Sequence, residues 1–154
     1  MAELGWLGLI FPEEYEGSGA SFLDLALLVE EMGRNILPGP FLPTVICALP
    51  LLEYGTGEQK ARFLPRIARG EEIWTLALAE ASGGYKAGEI KTRARREGGE
   101  YVIEGEKLFV PDAHIADYLL VAVRSSGKGG IMLLIVGAGS PGVEVEVIPT
   151  IARD

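Results

Sequence analysis

Two segments of the chain carry residue types that could hold a ligand. Thr75-Leu76-Ala77-Leu78-Ala79-Glu80-Ala81-Ser82-Gly83-Gly84 reads as a strand running into a glycine-rich loop. Tyr101-Val102-Ile103-Glu104-Gly105-Glu106-Lys107-Leu108-Phe109-Val110-Pro111-Asp112 reads as a hairpin that ends on an aromatic. Other reactive residue types are isolated. His114 is the only histidine, and a metal site needs several ligands converging, so it reads as a loop or hydrogen-bonding residue. Cys47 lies in the apolar run Val45-Ile46-Cys47-Ala48-Leu49 and reads as a small buried hydrophobe. Glu30 and Glu31, adjacent on a helix, point about 100° apart and do not form an acid–base pair. Gly17-Ser18-Gly19 lacks a preceding strand and a third glycine, so it reads as a turn and not as a dinucleotide loop. The residues thus contain no Ser-His-Asp set, no metal cluster and no Walker-type phosphate loop.

The elements that would position the two segments change character near Gly70. Before it, Phe22, Leu25, Ala26, Leu28, Val29, Met32 and Ile36 recur at spacings of three and four, one face of a helix. Ser21 is its expected N-cap, with Asp24 at the capping-box position, and Gly39 between Pro38 and Pro40 is expected to end it. A second helix is expected over Pro43–Tyr54, stopped by Gly55. A third starts at Thr56, with Gln59 closing a capping box and Pro65 breaking or kinking it. Met1–Phe11 is read as a short helix followed by a loop. After Gly70 the expected strands are Ile73–Ala79, Ile90–Arg96, Glu100–Glu104, Glu106–Val110, Tyr118–Arg124, Ile131–Val136 and Val143–Pro149. Turns are expected at Gly98-Gly99, Gly105 and Ser126–Gly130. The resulting fold class is α+β: part of an N-terminal helical bundle over residues 1–70, then a small antiparallel β-barrel or sandwich over 71–154, cut short at its C-terminal side.

Bulk composition bounds the partners. The chain has 154 residues, 48% hydrophobic and 23% charged, with a net charge of −8. That balance argues against nucleic acid or an anionic membrane surface as the main partner, since both are held through basic patches. A single cysteine excludes an internal disulfide framework and fits a reducing compartment, so a cytoplasmic location is the expectation. No apolar run reaches membrane-spanning length, and Met1-Ala2-Glu3-Leu4 has no basic n-region of a signal peptide.

The order of motifs resembles the acyl-CoA dehydrogenases. Leu4-Gly5-Trp6-Leu7-Gly8-Leu9 followed by Pro12-Glu13-Glu14-Tyr15-Glu16-Gly17-Ser18-Gly19 is similar to that family's opening segment. Glu30-Glu31-Met32-Gly33-Arg34 resembles its "EELGR" helix. Gly55-Thr56-Gly57-Glu58-Gln59-Lys60, then Leu64-Pro65 and Gly70-Glu71, resembles its "G-EEQK—LP—GE" run. The Glu80 loop, the Lys107 hairpin, Ala116-Asp117 and Pro141-Gly142-Val143 follow in order, so the resemblance covers nearly the whole chain. It implies an N-terminal helical domain, a middle β domain and a C-terminal helical bundle. It also implies FAD as cofactor, acyl-CoA as substrate, an electron-transfer-flavoprotein-like acceptor, and a homo- or hetero-oligomer, dimer or tetramer. In the implied reaction a carboxylate removes the α-proton of the thioester while the β-hydride passes to the flavin. That carboxylate belongs to the C-terminal bundle, so no catalytic residue is expected among these 154, which read as a portion of a longer protein.

Position by position, the resemblance implies a flavin site at Leu76, Leu78, Ala79, Phe109 and Pro111, and a substrate site at Gly84 and Tyr85. Leu76 and Leu78 offer backbone groups. Ala79 stands where the family has a flavin-bonding Thr, Ala81 where it has Pro, Tyr85 where it has a ligand-contacting Ser, and Lys86 where it has Asp. Glu80 and Gly84 match. Phe109 is the aromatic over the flavin. Pro111 replaces a Thr or Ser and has neither N–H nor hydroxyl to give. Two readings therefore stand: an FAD-dependent acyl-CoA dehydrogenase, or a non-catalytic subunit, weakly or not binding flavin, of a heteromeric one. Tyr85 leaves three readings open: an exposed loop residue, a site reshaped for a different acyl group, or a blocked one.

Overall fold

The structure is a computed structural model that describes residues 1–83, 86–126 and 130–149. It divides into two compact units, Met1–Trp74 and the part that begins at Thr75.

The first unit is helical. Helix α1 spans Phe22–Arg34, α2 Phe41–Tyr54 and α3 Gly57–Ala68. Two of the three starts are set by reciprocal capping. Ser21 Oγ accepts from the Asp24 N–H while Asp24 Oδ2 accepts from the Ser21 N–H, and Thr56 and Gln59 repeat the arrangement. A short 3₁₀ turn at Ala2–Leu4 stands where a first helix is expected, and a second, Glu13–Tyr15, lies in the stretch after it. The Gly17-Ser18-Gly19 stretch folds back on the preceding loop. A Cβ on Gly17 would overlap the Phe11 carbonyl oxygen, so only glycine allows this approach.

The apolar face of α1 is narrower than its periodicity predicts. Leu25 is buried with Phe41 and Val45, and Trp6, Leu7, Leu9, Ile10, Leu28, Val29 and Met32 pack around them. Phe22 and Ile36 are 67% and 87% exposed. The helix also ends earlier than the Pro38-Gly39-Pro40 signal suggests. The Ile36 N–H donates to Gly33 O and the Leu37 N–H to Met32 O, with Ile36 left-handed at φ 49°. That is a Schellman stop with a β-branched residue in the place usually held by glycine. Pro65 does not break α3, and Pro50 lies inside α2. Burial of Phe63, Leu64, Ile67 and Ala68 holds α3 together across the missing N–H. At the end of the unit Trp74 is fully buried, edge-on to Phe63 with ring centroids 4.9 Å apart. The Trp74 backbone N–H donates to Thr44 Oγ1 at 3.1 Å, and its indole N–H to Glu72 Oε2 at 3.1 Å.

The second part is a sheet of five strands: β1 Trp74–Ala77, β2 Arg93–Glu97, β3 Glu100–Glu104, β4 Tyr118–Ser125 and β5 Ile131–Gly137. The α+β class holds, but two features of the expected antiparallel barrel or sandwich do not. The sheet is mixed, because β2 and β4 run parallel, pairing Arg93 with Arg124, while β2–β3 and β4–β5 are antiparallel. Nor do the described strands close into a barrel: β1, β4, β2 and β3 follow one another, and β5 pairs with β4. Strand β4 is central, and Leu119, Leu120, Val121, Ala122 and Val123 are all buried. Two expected strands are absent. Val143–Pro149 alternates valine with glutamate, yet Val145 and Val147 are 45% and 65% exposed and find no partner strand among the described residues. Alternation makes a strand only where a neighbour supplies the ladder. Glu106–Val110 is a loop for reasons that belong to the site. Of the expected turns, part of Ser126–Gly130 lies outside the described residues.

Replacing Ile36 by glycine is expected to stabilise the protein by about 1 kcal/mol, because a left-handed L-residue costs about 1–2 kcal/mol and glycine returns part of that as backbone entropy. The urea-denaturation midpoint of the complete protein should rise; a fall would show that the cap is not strained.

Candidate functional site

Strand β1 leads from Trp74 into Leu78, Ala79 and Glu80, and the loop Gly105–Asp112 lies alongside it. Four hydrogen bonds hold the two together. The Leu108 N–H donates to Ala79 O at 2.9 Å. Lys107 Nζ donates to Leu78 O at 3.2 Å and to Glu80 Oε1 at 2.7 Å. Further along, the hydroxyl of fully buried Thr75 donates to Pro111 O at 2.6 Å. The stretch Glu106–Val110 nonetheless does not form the expected strand. Phe109 and Asp112 are both left-handed, with φ 53°, which interrupts the extended backbone. Gly105, at φ 152°, lets the loop pass close to Thr92. A Cβ there would lie 2.6 Å from Thr92 Oγ1 and 2.8 Å from its Cα.

The charged pair at the centre is nearly dry. The side chains of Glu80 and Lys107 are each 8% exposed. Glu80 Oε1 accepts from Lys107 Nζ, from the Thr92 N–H at 3.0 Å and from Thr92 Oγ1 at 2.7 Å. Oε2 accepts from the Lys91 N–H at 2.7 Å. Burial by itself would push the carboxyl up, but Lys107 and the Thr92 and Lys91 donors outweigh it and hold Glu80 at about 2. The glutamate is therefore a structural anion and not a proton acceptor near neutral pH.

Each residue of the expected flavin site has a place in this geometry. Leu76, Leu78 and Ala79 are half-buried. The carbonyls of Leu78 and Ala79 are engaged by Lys107 and Leu108, so what they can offer a ligand is their N–H groups, which have no acceptor among the described residues. Phe109 is 70% exposed, its ring free to meet a flat partner. Pro111 has its carbonyl tied to Thr75 and contributes no donor. Gly84 and Tyr85, the expected substrate contacts, lie outside the described residues. Sequence reasoning recognised Glu80 and Lys107 as family marks but gave them no task, and it missed Thr75 and Thr92.

The remaining candidates stand outside this arrangement. Cys47 is fully buried, and burial pushes its thiol up to about 12, which removes the nucleophilic thiolate. His114 is exposed on the turn before β4. No group of three or more His, Cys, Asp or Glu side chains could hold a metal among the described residues. No helix among them is long and apolar enough to cross a membrane.

Because Glu80 is held below its ordinary value of 4.5, the pair contributes its full stability above that value and loses it as pH falls through about 2. Glu80→Gln is expected to cost about 3–5 kcal/mol near neutral pH, since it leaves the Lys107 ammonium buried without its counter-charge. The difference between variant and wild type should narrow between pH 4.5 and 2 in urea titrations. A difference independent of pH would show that the carboxylate is not the stabilising form.

Comparison with known proteins places the chain in a family. Residues 1–71 match the model of the acyl-CoA dehydrogenase N-terminal domain, and residues 75–153 that of the middle domain. The chain is 35% identical to acyl-CoA dehydrogenase FadE26 of Mycobacterium tuberculosis, over 99% of this chain and 40% of that protein. Among solved structures, the Tcur3481-Tcur3483 steroid ACAD superposes with a TM-score of 0.88 at 35% identity, covering 99% of this chain and 41% of that one. An acyl-CoA dehydrogenase from Bacillus anthracis complexed with FAD gives a TM-score of 0.80 at 32% identity, covering 95% of this chain and 26% of that one. The chain spans about 40% of the length of the curated relatives it matches, and it belongs to the acyl-CoA dehydrogenase family.

Proposed function

We propose that the complete protein is an FAD-dependent acyl-CoA dehydrogenase, an oxidoreductase that removes hydrogens from the α and β carbons of an acyl-CoA thioester. The observation that carries this reading is the pairing of Ala79 with Leu108. It sets two N–H groups that have no acceptor among the described residues, on Leu78 and Ala79, in a segment bonded to the one that bears the exposed Phe109 ring. Hydrogen-bond donors beside an open aromatic face suit a flat heteroaromatic such as isoalloxazine. When bound, FAD would accept the β-hydride. The residues described here would bind and orient it, and the α-proton would go to a base outside residues 1–154. The fit is incomplete on one side, since Ala79 and Pro111 supply no hydroxyl. Each absent neutral hydrogen bond weakens the grip by ~1 kcal/mol. The acceptor of the electrons would be an electron-transfer flavoprotein or similar carrier, and the buried free thiol suits a cytoplasmic location.

A second reading is favoured by the missing hydroxyls together with the two-component name of one close structural neighbour, the Tcur3481-Tcur3483 ACAD. In it the complete chain is a subunit that carries little flavin itself and packs against an FAD-bearing partner. Expression of the complete gene product alone separates the two. Stoichiometric visible flavin absorbance that bleaches anaerobically with acyl-CoA is the expected result. Colourless protein that gains flavin only with a co-expressed partner would establish the second reading. In the flavin-binding case, Pro111→Thr is expected to tighten flavin binding about 5- to 10-fold, as one restored hydrogen bond would. Fluorescence titration of the apoprotein reads this directly, and unchanged affinity would remove Pro111 from the site.

A further inference from the structure

We propose that the Glu80–Lys107 pair, with Thr92 behind it, is the positioning device of the flavin site: it fixes where Phe109 and the Leu78 and Ala79 N–H groups stand. This inference rests on the flavin reading above and adds residues that touch neither cofactor nor substrate in it. Lys107 immediately precedes Leu108 and Phe109, and Glu80 immediately follows Ala79. An ion pair of 2.7 Å between them therefore sets the spacing of the two stretches. Its direction is constrained at both ends. Glu80 is held by three donors besides Lys107, from Thr92 and Lys91. Lys107 is held by the Leu78 carbonyl as well. Charge-assisted hydrogen bonds are short and directional, so they fix separation and angle where apolar contact would fix only separation. The left-handed Phe109 makes the arrangement sensitive, because an aromatic at φ 53° keeps that backbone only while its neighbours are held. Gly105 completes the device by letting the loop approach Thr92 without a clashing Cβ.

The test uses the complete gene product, with flavin affinity measured by fluorescence titration of apoprotein and flavin environment by visible circular dichroism. Both are read at a temperature where far-ultraviolet spectra show every variant folded. Lys107→Met and Glu80→Gln are expected to weaken flavin binding about 10- to 100-fold and to alter the visible dichroism, since a displacement of about 1 Å is worth about that factor. Lys107→Arg, which keeps charge and donors, should recover most of the affinity. Val123→Ala, a cavity in β4 remote from the pair in sequence, should lower the melting temperature and leave the flavin constant as in wild type. Should Lys107→Met not fold, Gly105→Ala decides, because it displaces the loop without leaving a charge unpaired and is expected to weaken flavin binding too. Wild-type affinity in a folded Lys107→Met or Gly105→Ala overturns the positioning role while the flavin reading stands. Equal loss in Val123→Ala overturns it as well, by showing that general destabilisation is the cause. Wild-type protein that takes up no flavin overturns both.

Discussion

The buried ion pair between Glu80 and Lys107 is the constraint on which the packing of the Gly105–Asp112 loop against the extension of β1 depends. Two charges with side chains 8% exposed would each cost several kcal/mol in an apolar interior. The cost is met because Glu80 receives hydrogen bonds from Thr92 and Lys91 as well as from Lys107. That requirement ties three separate stretches together: the extension of β1, the residues leading into β2, and the loop that carries Phe109. An apolar pair of similar volume would hold these stretches about as stably. It would not dictate which backbone groups face the protein and which face outward. Here the carbonyls of Leu78 and Ala79 turn to the Lys107 loop, and their N–H groups have no acceptor among the described residues.

The same rule, that buried polar groups fold where their partners are, organises the neighbouring residues. Trp74 and Thr75 are adjacent and both fully buried, yet their polar groups are satisfied by different parts of the chain. Trp74 bonds to Thr44 and Glu72, while Thr75 bonds to Pro111. Glu72 in turn accepts from Arg66 at 2.9 Å. The division of the chain into two units falls between these two residues. Thr75 has a particular consequence. By taking the Pro111 carbonyl it fixes a residue that can donate nothing itself, so the loop is held in place where a flavin-bonding hydroxyl is absent.

The relation to the acyl-CoA dehydrogenases gives these contacts their chemical meaning, and the departures limit it. The family's scaffold is present from residue 1 to residue 153 in two matching domains. Ala79 and Pro111 remove polar groups that the family resemblance assigns to flavin, while the aromatic, the glutamate and the lysine remain. Under the proposed reading, the residues that would orient the site are present and some of those that would grip its ligand are absent. That combination is what sets an enzyme reading beside a subunit reading, and it is a property of four or five side chains on an otherwise ordinary fold.

How much of this was legible in the residues follows from the range of each interaction. Helix starts at Ser21 and Thr56 were readable because a capping box closes within four residues and depends on nothing else. Strands β3, β4 and β5 were readable within a residue or so of their ends, from apolar runs bounded by glycine, and the family was readable from the order of its motifs. Pro65 misled because local propensity was overridden by the burial of Phe63, Leu64 and Ile67. Val143–Pro149 misled because alternation states which face would be wet but not whether a neighbouring strand exists, and Glu106–Val110 misled because the left-handed Phe109 interrupts its extended backbone. The sequence by itself thus determined the helix caps, the main strands and the kinship, all written in local pattern. Only the tertiary structure decided the mixed sheet, the left-handed Phe109 and the Glu80–Lys107 pair, whose partners stand 27 residues apart. Contacts at that separation depend on the whole fold for their geometry, and no local pattern encodes them.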